Sequence, residues 1–265
     1  FVSGLLLAAP RFTNGLRLRH TGERLPSMPH IEMTIACLAR RGVMVQSPEP
    51  GLWVVAPSEI AGLDIDIEPD LSNAAPFLVA ALVAGGSVTV TGWPETTTQV
   101  GADLERLLPL FGATVSRAGG ALTVTAGAEI TGVELDLSTA GELAPALVAL
   151  AALASSPSRI TGIGHLRGHE TDRLAALTAE INALGGGVTE LDDGLEIDPR
   201  SLHGGAWRSY EDHRMATAGA IIGLRVAGVE IDDIATTAKT LPQFPELWSG
   251  MLSEPHATVD SIGII

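Results

Sequence analysis

The sequence has almost no lysine: Lys239 is the only one in 265 residues, so arginine supplies every other strong side-chain cation. Strong cations are scarce as a whole, since 16 Lys and Arg residues stand against 31 Asp and Glu residues and the formal charge is −15. Nucleic-acid binding needs clustered cations, so this balance argues against a nucleic-acid surface. Any anionic ligand is predicted to bind at a local basic site.

Disulfide partners and membrane-length apolar runs are also missing. The single Cys37 can form no disulfide within the chain, and no cationic segment followed by a cleavage site stands at the start, which predicts a reducing cytoplasm. The longest apolar stretches, PFLVAALVAGG and ALVALAALASS, are shorter than the roughly 20 residues that span a bilayer. They predict buried helices, and no membrane association.

What is present is an internal repeat. Three segments each read as a helix ending in glycine, a valine three residues later, a turn and a short apolar strand: CLARRGVMVQSPEPGLWVV, LLPLFGATVSRAGGALTVT and INALGGGVTELDDGLEI. Gly42, Gly112 and Gly185 mark the three copies. Each glycine is predicted to end its helix in the left-handed conformation, and each following stretch is predicted to form a β-hairpin.

A second repeated element has a polar start, an Ala-rich helix and a strand: DLSNAAPFLVAALVAGGSVTVTG, DLSTAGELAPALVALAALASSPSRITG and SYEDHRMATAGAIIGLRVAGVEI. Helix, strand, helix and hairpin together make a unit of about 70 residues, which predicts an α/β (α+β) fold of a few copies around a common core. Turn residues and acids in PSEIAGLDIDIEPD predict a domain boundary near residue 68.

Unusual polar residues cluster at predicted helix starts, where free N–H groups favour anions and shift pKa values. At each start a purely structural interpretation stays open, such as Thr171 capping the helix of GHETDRLAAL. The functional interpretation gives acid–base or anion-binding roles to the polar side chains of four stretches, which are Ser27 and His30, Glu142, Glu170 and Arg173, and His213 and Arg214.

Several motifs together resemble one enzyme family. HETDRL, DHRMA and TAKTLP, in this order, are similar to the C-terminal part of 5-enolpyruvylshikimate-3-phosphate (EPSP) synthases. SMPHIEMT resembles the family's Ser-x-Pro-x stretch, and FVSGLL resembles the segment directly after its Ser-Ser-Gln motif. The resemblance covers nearly all of residues 1–249.

The resemblance implies two domains, each of three βαβαββ units about a pseudo-threefold axis, here truncated at the N-terminus. Residues 1–68 would be the remaining part of the first domain and 69–249 most of the second, while no role is predicted for the tail 250–265. Because several family motifs would lie upstream of Phe1, we expect this chain alone to have little or no activity. A monomer is expected for the full-length protein.

The resemblance also implies the reaction, which is transfer of the enolpyruvyl group of phosphoenolpyruvate to the 5-hydroxyl of shikimate 3-phosphate with release of phosphate, without metal or organic cofactor. Catalytic roles fall to Glu142, which stands where most members have Asp, and to Glu170 and Lys239. The residues implied for shikimate 3-phosphate are Ser27, His30, Glu142, His165 and His169. Those implied for phosphoenolpyruvate are Arg173, His213, Arg214 and Lys239.

Two other interpretations stay open. One is the related transferase that acts on UDP-N-acetylglucosamine, which usually relies on a loop cysteine, whereas Cys37 is predicted to lie mid-helix. The other is a non-catalytic relative that only binds an anion. Binding alone would not need both Glu142 and Glu170.

Overall fold

A computed structural model describes residues 1–22, 25, 28–254 and 256–259. It divides the chain into two compact units, Phe1–Ile67 and Glu68–Ile265. No helix in the described part is both long enough and apolar enough to cross a membrane.

The first unit combines two helices with a small antiparallel sheet. Its elements are α1 (Val2–Ala8), β1 (Leu16–Arg19), α2 (Met28–Arg40), β2 (Val45–Glu49) and β3 (Leu52–Val55). The strand order is β1-β3-β2, and both pairings are antiparallel. Its core forms around Leu6, Ile31, Leu38 and Trp53, which are all buried. The first of the three predicted hairpins, β2–β3, is therefore present.

The second unit contains one complete copy of the predicted repeat. It runs β7 (Glu134–Asp136), α5 (Ala144–Ala152), β8 (Ser158–Thr161), α6 (Arg173–Ala183), β9 (Gly187–Leu191) and β10 (Gly194–Asp198). β7 and β8 are parallel, β10 lies antiparallel to β8 and β9, and the sheet order is β7-β8-β10-β9. This copy contains the helix, strand, helix and hairpin that the repeat predicts, in the βαβαββ order that the family resemblance implies.

The copy before it has the same order of helices and hairpin. It consists of α3 (Leu71–Ala84), β4 (Ser87–Val90), α4 (Leu104–Leu107), β5 (Thr114–Ala118) and β6 (Ala121–Thr125). The last copy is shorter, with β11 (Gly205–Trp207), α7 (His213–Gly223), β12 (Val229–Ile231) and α8 (Phe244–Met251). β13 (His256–Val259), from the tail, lies parallel to β4 at the edge of the β4-β6-β5 sheet.

The three Ala-rich helices α3, α5 and α7 pack against one another in the centre of this unit. Every residue of α5 and nearly every residue of α3 is buried, because small alanine side chains let the helices approach closely while leucine, valine and phenylalanine fill the gaps. The predicted mixed fold, built from repeated copies around a common core, is confirmed.

Glycine ends the helices as the repeat predicts. Gly42, Gly112 and Gly185 have φ of +78°, +97° and +92°. At Gly112 a side chain would also collide with the backbone, since a Cβ would lie 2.7 Å from the carbonyl oxygen of Glu129. No other residue fits this turn without strain.

Aspartates cap four helix starts of the second unit. The side chains of Asp70, Asp172, Asp212 and Asp233 accept backbone N–H groups at the starts of α3, α6, α7 and a 3₁₀ helix, Ile234–Lys239. The capping hypothesis for Thr171 is therefore wrong: α6 begins at Arg173, one residue later than that cap requires, so Asp172 occupies the N-cap position.

Candidate active site

A buried guanidinium anchors the site. Arg173, the first residue of α6, is 1% exposed. Its Nε donates to Asp212 Oδ2 at 2.8 Å, and a second guanidinium nitrogen donates to Asp212 Oδ1 at 3.2 Å. Asp212 is itself fully buried at the start of α7. This planar, bidentate pairing connects the first turn of α6 to the start of α7.

Glu170 lies between two cations. Arg173 donates to its Oε2 at 2.8 Å, and the Lys239 ammonium donates to its Oε1. Burial alone would raise the pKa of Glu170, but the Lys239 hydrogen bond and the charges of Arg173 and Lys239 together lower it to about 2. In this state Glu170 is ionised at neutral pH.

Glu142 has its own cation. It lies in a short 3₁₀ helix, Gly141–Leu143, directly before α5, and its Oε2 is 3.5 Å from the guanidinium of Arg214. Arg214 also donates to the hydroxyl of Ser72 at 3.1 Å. Because Arg214 is on α7 and Ser72 is on α3, the pairing draws the starts of all three Ala-rich helices together.

Two histidines lie beside the carboxylates. The rings of His165 and His169 are 5.9 Å apart, and His169 Nδ1 is 3.4 Å from the Arg173 guanidinium. Burial lowers the pKa of both imidazoles, and the charge of Arg173 lowers it further. Close approach depends on Gly141, where a Cβ would lie 2.6 Å from His165 Nε2. Both rings are therefore neutral hydrogen-bonding groups at neutral pH.

His213 is a third neutral imidazole. It is 6% exposed, and its Nδ1 is a buried atom that has no hydrogen-bond partner among the described residues. Burial, followed by the charges of Arg214 and Arg173, lowers the pKa of His213 to about 4. The ring adds no charge to the cluster at neutral pH.

The loop that carries Lys239 is tied to α3. Asn73 donates to the carbonyl of Thr240 at 3.2 Å, and the Thr240 hydroxyl donates back to the Asn73 amide oxygen at 3.2 Å. Asn73 is buried, whereas the Lys239 side chain is 52% exposed. Hydrogen bonds to a buried residue of α3 thus hold the backbone next to Lys239, whose ammonium contacts Glu170.

The sequence model of the EPSP synthase (3-phosphoshikimate 1-carboxyvinyltransferase) family matches residues 1–248. This chain belongs to the EPSP synthase family. The 3-phosphoshikimate 1-carboxyvinyltransferase of Kocuria rhizophila is 58% identical to it over 253 residues, which are 95% of this chain and 57% of that protein.

Solved structures agree with this family assignment. The EPSP synthase of Acinetobacter baumannii has a TM-score of 0.72 at 25% identity, covering 93% of this chain and 58% of that one. The enolpyruvyl transferase NikO of Streptomyces tendae shares the fold, with a TM-score of 0.68 at 22% identity over 91% of this chain and 56% of its own. The chain thus spans a little over half the length of the family members it matches.

The structure brings most of the predicted site residues into one cluster of the second unit. These are Glu142, His165, His169, Glu170, Arg173, His213, Arg214 and Lys239. Of the remaining two, His30 lies in the first turn of α2 in the first unit, half-buried. Ser27 lies outside the described residues.

Sequence reasoning missed Asp212, Ser72 and Asn73 as parts of the site. Asp212 caps α7, and its second role toward Arg173 requires a partner 39 residues away, which no local pattern indicates. Cys37 lies within α2, as predicted, where Arg41 donates to its sulfur at 3.4 Å. Within the described residues no group of three or more His, Cys, Asp or Glu side chains is arranged to hold a metal ion.

Proposed function

We propose that this chain carries the acid–base centre of an enzyme that transfers the enolpyruvyl group of phosphoenolpyruvate to the 5-hydroxyl of shikimate 3-phosphate and releases phosphate. The main support is the pairing of two carboxylates with separate cations inside one cluster. Glu142 pairs with Arg214, while Glu170 pairs with Arg173 and Lys239. An addition–elimination needs one base and one acid, and two carboxylates in different surroundings meet that need.

Phosphoenolpyruvate is proposed to bind to Arg173, Arg214 and Lys239, with His213 beside them as a neutral hydrogen-bonding group. In the free protein each of these cations already pairs with a carboxylate. An anionic ligand therefore binds by taking over cationic contacts from Glu142 and Glu170. Planar guanidinium groups suit a carboxylate or phosphate, and the compact ammonium suits a leaving phosphate.

This exchange would convert Glu170 from a base into an acid. Its pKa of about 2 in the free protein depends on Lys239 and Arg173. Once the ligand engages those cations and places its own negative charge beside the carboxylate, the pKa of Glu170 rises. Binding of the substrate thus favours protonation of Glu170, and the addition step uses this proton.

In the addition step Glu142 takes the proton of the 5-hydroxyl, the hydroxyl oxygen bonds to C2 of phosphoenolpyruvate, and Glu170 delivers a proton to C3. In the elimination step the Glu170 carboxylate takes a proton back from the new methyl group while the bond from C2 to the phosphate oxygen breaks. Lys239 balances the charge of the departing phosphate. The proton that Glu142 took from the hydroxyl passes to the departing phosphate, so that Glu142 is again ionised and the phosphate leaves as hydrogen phosphate.

Shikimate 3-phosphate is proposed to bind to Ser27, His30, His165 and His169, next to Glu142. The lowered pKa of His165 and of His169 makes both rings hydrogen-bond partners for ring hydroxyls rather than cations for the phosphate. Binding of this substrate should therefore change little between pH 7 and 9.

Several properties of the whole protein remain proposals. We propose that residues 1–68 belong to the first domain of the family fold and residues 69–249 to the second. We also propose a monomeric, cytoplasmic enzyme that needs no cofactor, in line with the family resemblance.

Phosphate release in the presence of both substrates tests the proposal. It is measured for the 265-residue chain and for a chimera in which residues 1–248 replace the matching part of the Kocuria rhizophila relative. We expect little activity from the chain alone and clear activity from the chimera. An inactive chimera beside an active relative would contradict the proposal, and robust turnover by the chain alone would contradict the expected inactivity.

Single-site variants of the chimera separate an enzyme from a non-catalytic anion binder. Glu170→Gln should lower kcat by about 10²-fold or more, because proton transfer by a positioned side chain contributes about 10²–10⁴-fold. It should not weaken phosphoenolpyruvate binding, because the ligand no longer competes with a carboxylate for Arg173 and Lys239. Glu196→Gln is the matched control, since Glu196 lies exposed on β10 and the one ion pair that it forms with a described residue is with Arg159. Equal rates for the two variants would favour the binder.

A further inference from the structure

The turn before α7 is strained. Tyr210 and Glu211 both have φ of +55°, and among the described residues they are the two non-glycine residues with positive φ. Left-handed backbone is unfavourable for residues with a Cβ and persists only where the surroundings impose it. Asp212, His213 and Arg214 follow directly, so the strained turn sets the direction in which these three side chains enter the site.

A buried carboxylate on α6 holds this turn. Glu180 is 2% exposed, and the hydroxyl of Tyr210 donates to its Oε1 at 2.6 Å. The backbone N–H of Arg208 donates to its Oε2 at 3.0 Å. Burial, together with the hydrogen bond from Tyr210 to Glu180, raises the pKa of Tyr210 to about 12, so the phenol is a proton donor at neutral pH.

Two further contacts, both with Ser209, hold the turn. Asp232 accepts both the backbone N–H and the hydroxyl of Ser209, at 2.9 and 2.7 Å. Asp212 N–H donates to the Ser209 carbonyl at 2.9 Å, which closes the turn around the two strained residues.

Helix α6 therefore forms side-chain hydrogen bonds to the turn at two points. Arg173 binds Asp212, and Glu180 binds Tyr210. Positions seven residues apart lie on the same face of a helix, two turns along. One helix face thus positions both ends of the segment 210–212.

We propose that Glu180 and Tyr210 are positioning residues for the anion site: their hydrogen bond keeps the strained turn in place so that Asp212 holds Arg173, and Arg214 faces Glu142. The hydrogen bonds described for these two side chains join them to one another and join Glu180 to the Arg208 N–H. The part of this inference that concerns substrate rests on the proposed function.

Tyr210→Phe removes one hydroxyl and nothing else. Without that anchor the turn relaxes, and Asp212 loses its fixed position against Arg173. We expect the Arg173 Nε–H to exchange with water at least about tenfold faster in ¹⁵N NMR of the 265-residue chain, after correction for the unfolding equilibrium measured in urea. Glu180→Gln, which keeps an acceptor for Tyr210 but turns a donor toward the Arg208 N–H, should show a smaller acceleration.

Thr178→Val is the matched control. Thr178 lies on the same helix, and its buried hydroxyl oxygen has no hydrogen-bond partner among the described residues. The replacement keeps the branched shape, so Arg173 exchange should stay at the wild-type rate.

The kinetic readout distinguishes positioning from a general structural effect. In the active chimera, Tyr210→Phe should raise KM for phosphoenolpyruvate about tenfold and KM for shikimate 3-phosphate by no more than about twofold. The reason is that Asp212 and Arg214 directly follow the turn, whereas Glu142 and His165 are carried by other elements. Unchanged Arg173 exchange in Tyr210→Phe, or equal rises in both KM values, would overturn the inference. If no form turns over, the proposed function fails, while the exchange measurement still decides whether the pair positions Arg173.

Discussion

Removing the charge of Asp212 should destabilise the second unit strongly. Asp212→Asn keeps the size of the side chain and its ability to cap α7, since Asn and Asp are comparable N-caps. It removes the buried charge that faces Arg173, whose side chain is 1% exposed. Breaking a buried pair by removing one partner costs about 3–5 kcal/mol, because an uncompensated charge stays behind.

The structure places the expected loss at the lower end of that range. Arg173 retains Glu170, which accepts from its guanidinium at 2.8 Å and is 27% exposed. Part of the cation's charge therefore stays compensated, and we expect a loss of about 3 kcal/mol in the free energy of unfolding.

Urea unfolding followed by tryptophan fluorescence measures this loss. A Trp53→Phe background confines the signal to the second unit, because the other three tryptophans lie there. Asp103→Asn is the control: Asp103 also binds an arginine through two nitrogens, at 3.1 and 2.7 Å, but the pair is exposed and should contribute less than about 1 kcal/mol. Equal losses for the two variants would refute the argument that burial sets the cost.

Three further predictions concern single groups. Lys239→Met should raise the pKa of Glu170 from about 2 by about one pH unit or more, because Glu170 loses a hydrogen-bonded cation. An unchanged ¹³C NMR titration of the Glu170 carboxyl would contradict this prediction. The pKa of His213 is about 4 in the folded chain, below its ordinary 6.5, so between these pH values the unfolded chain binds one proton more than the folded chain. The free energy of unfolding should therefore fall as the pH drops from about 6.5 to about 4. In His213→Gln, the urea midpoint should lose this part of its pH dependence. Gly219→Ala should lower the free energy of unfolding by about 1–3 kcal/mol, since its Cβ would lie 2.6 Å from a buried indole ring. Gly223→Ala in the same helix should raise it by up to about 1 kcal/mol, since the nearest atom to its Cβ is 3.8 Å away. Similar melting temperatures for the two variants would refute the steric argument.

Repetition made much of the fold predictable. Glycine spacing identified the three helix ends, and the hairpins and Ala-rich helices lie where the pattern puts them. Strand partners were less accessible. No role was predicted for the tail 250–265, and only the structure shows that its residues His256–Val259 lie beside β4, more than 160 residues away along the chain.

For the candidate site, motif resemblance named the polar side chains but not their partners. Nothing in the sequence couples Glu180 to Tyr210, or Asn73 to Thr240, since each pair consists of ordinary residues from separate copies of the repeat or separate ends of the unit. Hydrogen bonds of this kind depend on where two elements meet, which local patterns do not encode.

Local sequence accounts for helix starts, helix ends and hairpins, because capping aspartates, left-handed glycines and alternating apolar residues act over a few positions along the chain. The ionisation of Glu170 and His213, the buried pairing of Arg173 with Asp212 and the strained turn at Tyr210 and Glu211 arise only in the folded chain. The reason is physical: desolvation and charge–charge interaction depend on three-dimensional distance, and packing of α3, α5 and α7 brings groups from distant repeats within hydrogen-bonding reach.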